Sequence, residues 1–180
     1  AAEQAQLTPI KINAVVQRGV NDHAVIDLAR YFKERRHTVR FIEYMDVGNR
    51  NKWELGQVVP MEQIIEKINA EMPLEPVESS YRGEVALRYR YLDGDGEIGI
   101  IASVTAPFCG DCTRLRLSPE GEMFTCLFAT HGTDLRGPMR EGATDTELEN
   151  IFTSTWLSRT DRYSEERSSI TKPIGNKVEM

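Results

Sequence analysis

Residues 108 to 128, FCGDCTRLRLSPEGEMFTCLF, hold every cysteine of the chain: Cys109, Cys112 and Cys126. Arg114 and Arg116 follow the first pair at alternate positions. Three thiolates in an electropositive setting suit a metal centre. A closed structural zinc site takes four ligands, and His131, five residues beyond Cys126, could be the fourth. An iron–sulfur cluster also takes thiolates, and three of them leave one iron open to a further ligand. A metal-free interaction domain would simply pack its cysteines. The arginines bear on the choice: a structural zinc site has no need of two cations at its rim, whereas an anionic substrate does.

The rest of the chain sets bounds on that centre. With 180 residues there is one domain, or one and a fraction. A net charge of −6 argues against broad nucleic-acid binding, so an anionic ligand must be held by local cations. No apolar run approaches the roughly 20 residues of a membrane span. AAEQAQLTPIKIN lacks the pattern of a signal peptide. An odd number of cysteines cannot all close into disulfides, which points to a reducing, cytoplasmic setting.

The elements that must position the cysteines follow from periodicity. IKINAVV (10–16) reads as a buried strand, and RGVND turns the chain. Asn21 or Asp22 caps a helix over 23–36 whose apolar stripe is Val25, Leu28, Ala29 and Phe32. TVRFIEYM (38–45) is the next strand, so the three form a βαβ unit with parallel strands. Such a unit belongs to a larger sheet or barrel, and the chain reads as a fragment. A helix over 59–72, opened by Pro60, presents Met61, Ile64, Ile65, Ile68 and Met72 and is ended by Pro73 and Pro76. GEVALRYRYLDGDGEIGIIASV then reads as a long hairpin turning at DGDG, and TRLRLSPEGEMFTCLF as a second. In the second, a three-residue loop, Pro119 to Gly121, sets Ser118 opposite Glu122, Arg116 opposite Phe124 and Arg114 opposite Cys126. Alternation along the strand puts Cys112, Arg114, Arg116 and Cys126 on one face. A capping box, Thr144 to Glu147, opens a last helix with Leu148, Ile151, Phe152 and Trp156 toward the core. The polar stretch from Arg162 to Met180 reads as irregular. A division falls near residue 72, giving an α/β part (1–72) and an antiparallel β-rich part (73–180).

The cysteine stretch, together with KINAVVQRGVND, RFIEYMDVGN, GEVA and DRYSEER in that order, resembles MoaA-type GTP 3′,8-cyclases. These are radical S-adenosylmethionine enzymes of molybdenum cofactor biosynthesis, which convert GTP to (8S)-3′,8-cyclo-7,8-dihydroguanosine 5′-triphosphate. The resemblance implies an α/β fold: the end of an incomplete parallel α/β barrel, followed by an antiparallel β-rich cluster-binding extension with helices. It implies that Cys109, Cys112 and Cys126 ligate an auxiliary 4Fe-4S cluster whose open iron meets the guanine of GTP. Arg114 and Arg116 would act on the GTP as catalytic and binding residues, Lys11 would contact the triphosphate, and Arg40 would add charge there. Met45 would touch S-adenosylmethionine. The family's N-terminal half, with its Cys-x3-Cys-x2-Cys triplet for a second 4Fe-4S cluster, has no counterpart here. Nor does its Gly-Gly tail, since the chain closes GNKVEM. The fragment is therefore expected to be inactive alone. Its unpartnered barrel edge invites pairing between copies, as a homodimer.

Each singled-out residue also has a plainer role. Lys11 suits an edge strand, Met45 suits core packing, and Arg40 suits an ion pair with Glu43 on its own strand. His23 and His37 read as helix-surface residues and His131 as a loop residue once the cluster is accepted. GDG at 94–96 is a turn rather than a phosphate loop.

Overall fold

In the structure, a computed structural model describing residues 1–47 and 52–167, the expected βαβ unit is present. Strands β1 (Lys11–Val16) and β2 (Thr38–Glu43) run parallel from Lys11↔Thr38 to Val16↔Glu43, with helix α1 (Val25–Glu34) between them. On α1, Val25 and Ala29 are buried and Leu28 and Phe32 pack partly against the core, as the apolar stripe requires. Asn21 and Asp22 do not cap the helix. Their carboxamide and carboxylate oxygens accept the Gln17 and Gly19 amides at 2.8 Å and fold the preceding turn instead. β1, expected to be buried, is a sheet edge where exposed and half-buried residues alternate and only Val16 is buried.

Helix α2 (Met61–Glu71) begins after Pro60, whose missing amide costs nothing at a helix start. Its Ile64 and Ile68 are fully buried against Phe41, Ile98 and Ile100. Burying such a side chain contributes about 1.5–3 kcal/mol. Beyond α2 lie β3 (Leu74–Val77), β4 (Leu87–Tyr91) and β5 (Glu97–Ile101). β4 and β5 form the expected hairpin, with Gly94 and Gly96 at positive φ in the turn. β3 was not expected, because Pro76 lies inside it. It is tolerated because β3 is the far edge of the sheet.

All five strands join one mixed sheet in the order β1-β2-β5-β4-β3, in which β1, β2 and β5 are parallel neighbours and β4 and β3 run antiparallel. The hairpin after residue 72 thus extends the βαβ sheet instead of belonging to the cysteine-bearing part. The two compact units are Ala1–Met45 with Trp53–Phe108, and Asp46–Lys52 with Cys109–Met180, not 1–72 and 73–180.

The second unit carries a small antiparallel sheet, β6 (Arg116–Leu117), β7 (Glu122–Phe124) and β8 (Thr133–Asp134), in that order. The β6–β7 register is the expected one: Arg116 pairs with Phe124, and the Ser118 amide donates to the Glu122 carbonyl at 2.9 Å. Gly121, at φ 84°, closes the loop. The ladder ends at Arg116, so Arg114 and Cys126 are not a strand pair. Helices α3 (Arg136–Arg140), α4 (Asp145–Leu157) and α5 (Tyr163–Glu166) follow. α4 opens on the expected capping box, with the Glu147 amide on Thr144 Oγ1 and the Thr144 amide on Glu147 Oε2. Its apolar face is only half-buried and Phe152 is exposed, so it covers the unit's surface rather than entering a core. The stretch from Arg162 on, expected to be irregular, instead forms α5 over Tyr163–Glu166, and its remainder after residue 167, with the closing GNKVEM, lies outside the described residues. Among the described residues no helix is long and apolar enough to cross a membrane.

Candidate metal centre

Cys109 opens a single 3-10 turn, Cys109–Asp111, closed by the Cys112 amide on the Cys109 carbonyl at 3.3 Å. All three cysteines are free thiols, half-buried in the second unit. The Arg159 guanidinium grips the turn, donating through Nη1 to the Cys112 carbonyl at 2.6 Å and through Nη2 to the Cys109 carbonyl at 3.0 Å. Glu165 accepts the Gly110 amide at 3.2 Å and pairs with Arg162. Around the third cysteine, Cys126 Sγ accepts the Phe128 amide at 3.4 Å, and the neighbouring Thr125 hydroxyl donates to Asp161.

Cys112 and Cys126 sit in different fields. Burial pushes the Cys112 thiol up. The Arg114 amide, the Arg114 guanidinium 3.5 Å from Sγ and the charge of Arg159 outweigh it, leaving Cys112 below the usual thiol range. For Cys126 burial wins and raises the thiol, with Asp161 and Cys109 adding to it against the Phe128 amide and Arg116. Arg116 is itself pulled down by burial and by Arg114, and is sustained by Cys112 and Cys126. Its Nη1 is buried with no hydrogen-bond partner among the described residues. A buried guanidinium donor without an acceptor is costly unless a ligand supplies one. Arg114 thus lies against Cys112, the residue two positions before it, and Arg116, on β6, lies in the field of Cys112 and Cys126.

A single zinc ion needs its ligands to converge at about 2.0–2.3 Å from one point. Among the described residues no group of three or more His, Cys, Asp or Glu side chains is arranged that way. His131 Nδ1 is instead engaged with the Thr130 hydroxyl at 2.9 Å. An iron–sulfur cluster takes each thiolate on a different iron, so it does not need three thiolates on one point. Cys109, Cys112 and Cys126 are the free thiols the chain offers to such a donor set, and Arg114 and Arg159 act on Cys112.

Lys11, Arg40 and Met45 lie in the first unit. Lys11 and Arg40 line one groove of about 280 Å³ on the sheet face, with the Arg88–Glu97 pair on its wall. Gly99 makes room for Arg40: a Cβ there would meet Arg40 Cγ at 3.0 Å. Arg40 does not pair with Glu43. The two are three positions apart on β2 and so face opposite sides of the sheet. Glu43 is fully buried and accepts the amides of Met61 (2.9 Å), Val104 (2.8 Å) and Thr105 (2.8 Å) and the Thr105 hydroxyl. Met45, half-buried, follows the end of β2.

Sequence reasoning missed Glu43 as an anchor, and missed Arg159, Asp161 and Glu165 around the cysteines. The signal was the density of charge in RTDRYSEER, which reads as a solvated tail until the turn beside it is seen. Part of that stretch is half-buried: Arg167 pairs with Asp46 at 3.0 Å, the Tyr163 hydroxyl donates to Asp46, and the Tyr163 ring stacks on Phe128 at 4.2 Å.

The family model described as Molybdenum Cofactor Synthesis C matches residues 37–165, which include all three cysteines and Arg159. A GTP 3′,8-cyclase of Acidothermus cellulolyticus is 53% identical over 172 residues, covering 93% of this chain and 48% of the relative. Those of Synechococcus sp. (strain CC9605) and Xanthomonas axonopodis pv. citri are 52% and 46% identical, over 88% and 100% of the chain and 44% and 53% of the relatives. The chain thus spans about half the length of the curated relatives it matches. With all three cysteines and Arg114, Arg116 and Arg159 inside the matched residues, the chain belongs to the GTP 3′,8-cyclase family and corresponds to the C-terminal portion, the Molybdenum Cofactor Synthesis C region.

Proposed function

We propose that this chain is the substrate- and cluster-binding part of a GTP 3′,8-cyclase of molybdenum cofactor synthesis. Cys109, Cys112 and Cys126 hold a 4Fe-4S cluster, which when bound supplies an iron with an open position for the guanine base. Lys11 and Arg40, on one groove of the sheet, hold the triphosphate, and Met45 contacts S-adenosylmethionine. Arg114 and Arg116 orient the nucleotide and stabilise its anionic groups. The open β1 edge is where copies of the chain pair as a homodimer. One observation carries the reading: a half-buried Arg116 whose buried Nη1 has no hydrogen-bond partner among the described residues, in the field of the Cys112 and Cys126 thiols.

In the whole enzyme, S-adenosylmethionine bound on a second cluster would supply the radical chemistry that cyclises GTP. The three cysteines present here are committed to the first cluster. The 180 residues alone therefore bind but do not turn over GTP.

Anaerobic reconstitution with iron and sulfide tests the assignment. About four irons per chain, lost in Cys126→Ala, are expected. Stoichiometric zinc without iron uptake, abolished in His131→Ala, would sink it in favour of a structural zinc module.

A further inference from the structure

Helix α4 ends at Leu157, and an arginine just beyond a helix ordinarily turns back to cover the last carbonyls. Arg159 does not. Its ring-facing side lies on Trp156, with the guanidinium carbon 4.7 Å from the ring centroid, and both of its charged hydrogen bonds go to the carbonyls of Cys109 and Cys112. Six residues on, Glu165 accepts the Gly110 amide of the same turn, and between them Asp161 accepts the hydroxyl of Thr125, beside Cys126. One short segment, 159–165, therefore holds both cysteine-bearing stretches, the Cys109–Cys112 turn by its backbone and Cys126 through its neighbour Thr125. None of these contacts uses a sulfur atom, so all three thiols stay available to a ligand.

We propose that Arg159 is a positioning residue of the three-cysteine site, its guanidinium bridging the Cys109 and Cys112 carbonyls so that the turn presents both thiols in one fixed arrangement. Bridging two carbonyls from one planar group needs the fork of an arginine, and lysine offers only a point donor. Groups that orient metal ligands without touching the metal set affinity strongly, and their loss typically costs 10–100-fold. The inference rests on the reading that these thiolates hold the cluster, and two measurements separate the two ideas.

The first uses the metal-free full chain. Amide hydrogen exchange at Gly110 and Cys112 is followed by nuclear magnetic resonance in the wild type, Arg159→Met and Arg159→Lys, with the amides of α4 as internal reference. Arg159→Met keeps the apolar stem on Trp156 and removes both bonds. Exchange at Gly110 and Cys112 should rise about tenfold in both variants, while α4 stays protected. The second measures iron released to a chelator from the reconstituted chains, with the paramagnetic resonance signature of the reduced cluster. Release should be about 10–100-fold faster in both variants, with a broadened signature. Unchanged exchange in Arg159→Met overturns the proposal, as does locally faster exchange with wild-type iron release. Full rescue by Arg159→Lys in both measurements also overturns it, since charge alone would then suffice. If the wild type takes up no iron, the cluster reading falls, and the exchange result alone decides whether Arg159 positions the turn.

Discussion

Cys112 and Cys126 carry the same group in opposed surroundings. The Arg114 amide and guanidinium overcome burial at Cys112 and hold its thiol below the usual range, while burial prevails at Cys126 and raises it. Since the thiolate is the reacting form, a lowered thiol stays reactive to lower pH. In the metal-free chain, iodoacetamide should modify Cys112 at a lower pH than Cys126, as read by peptide mass spectrometry across a pH series. Arg114→Ala removes the guanidinium bond and charge and should move the Cys112 profile upward while leaving Cys126 in place. Coincident profiles, or Cys126 reacting first, would contradict this account of the two thiols.

At the scale of elements, Glu43 joins three segments that the sequence leaves far apart: the end of β2, the start of α2 and the stretch 104–105 that leads toward Cys109. Its two carboxylate oxygens accept four donors, and Glu43→Gln would turn one acceptor into a donor facing donors. Each donor left unsatisfied costs about 1–3 kcal/mol, so urea should unfold the variant at a clearly lower midpoint. An unchanged midpoint would show that the buried carboxylate contributes nothing to stability. Elements of this first unit were largely legible in sequence because period and punctuation agree there: the βαβ unit, the α2 stripe and the Gly94–Gly96 turn are local patterns. Glu43 was not, since a carboxylate on a strand names no partner and its donors come from 18 and more residues away. β3 was hidden by Pro76, whose harm depends on edge position, a tertiary fact. The β6–β7 register followed from loop length, and Arg114 meets Cys112 at the two-residue spacing, but Arg114 and Cys126 are not the strand pair that alternation extended to them. Arg159 was illegible because its bonds go to backbone carbonyls, which have no letter in the sequence.

For the whole molecule, a net charge of −6 sits beside two local gatherings of cations, one in each unit. Lys11 and Arg40 share the sheet groove, and Arg114, Arg116 and Arg159 surround the cysteines. An acidic protein with such gatherings repels polyanions in general and admits a compact anion where geometry allows, which suits a nucleoside triphosphate better than nucleic acid. The central claim is that the thiols and arginines of the second unit make one nucleotide-binding metal centre. The most direct measurement is a GTP titration of the reduced, reconstituted chain, followed by the paramagnetic resonance of its cluster. GTP should shift the spectrum saturably, ATP should not, and Arg116→Ala should abolish the shift while retaining the iron. A spectrum indifferent to GTP in a fully loaded chain would contradict the claim.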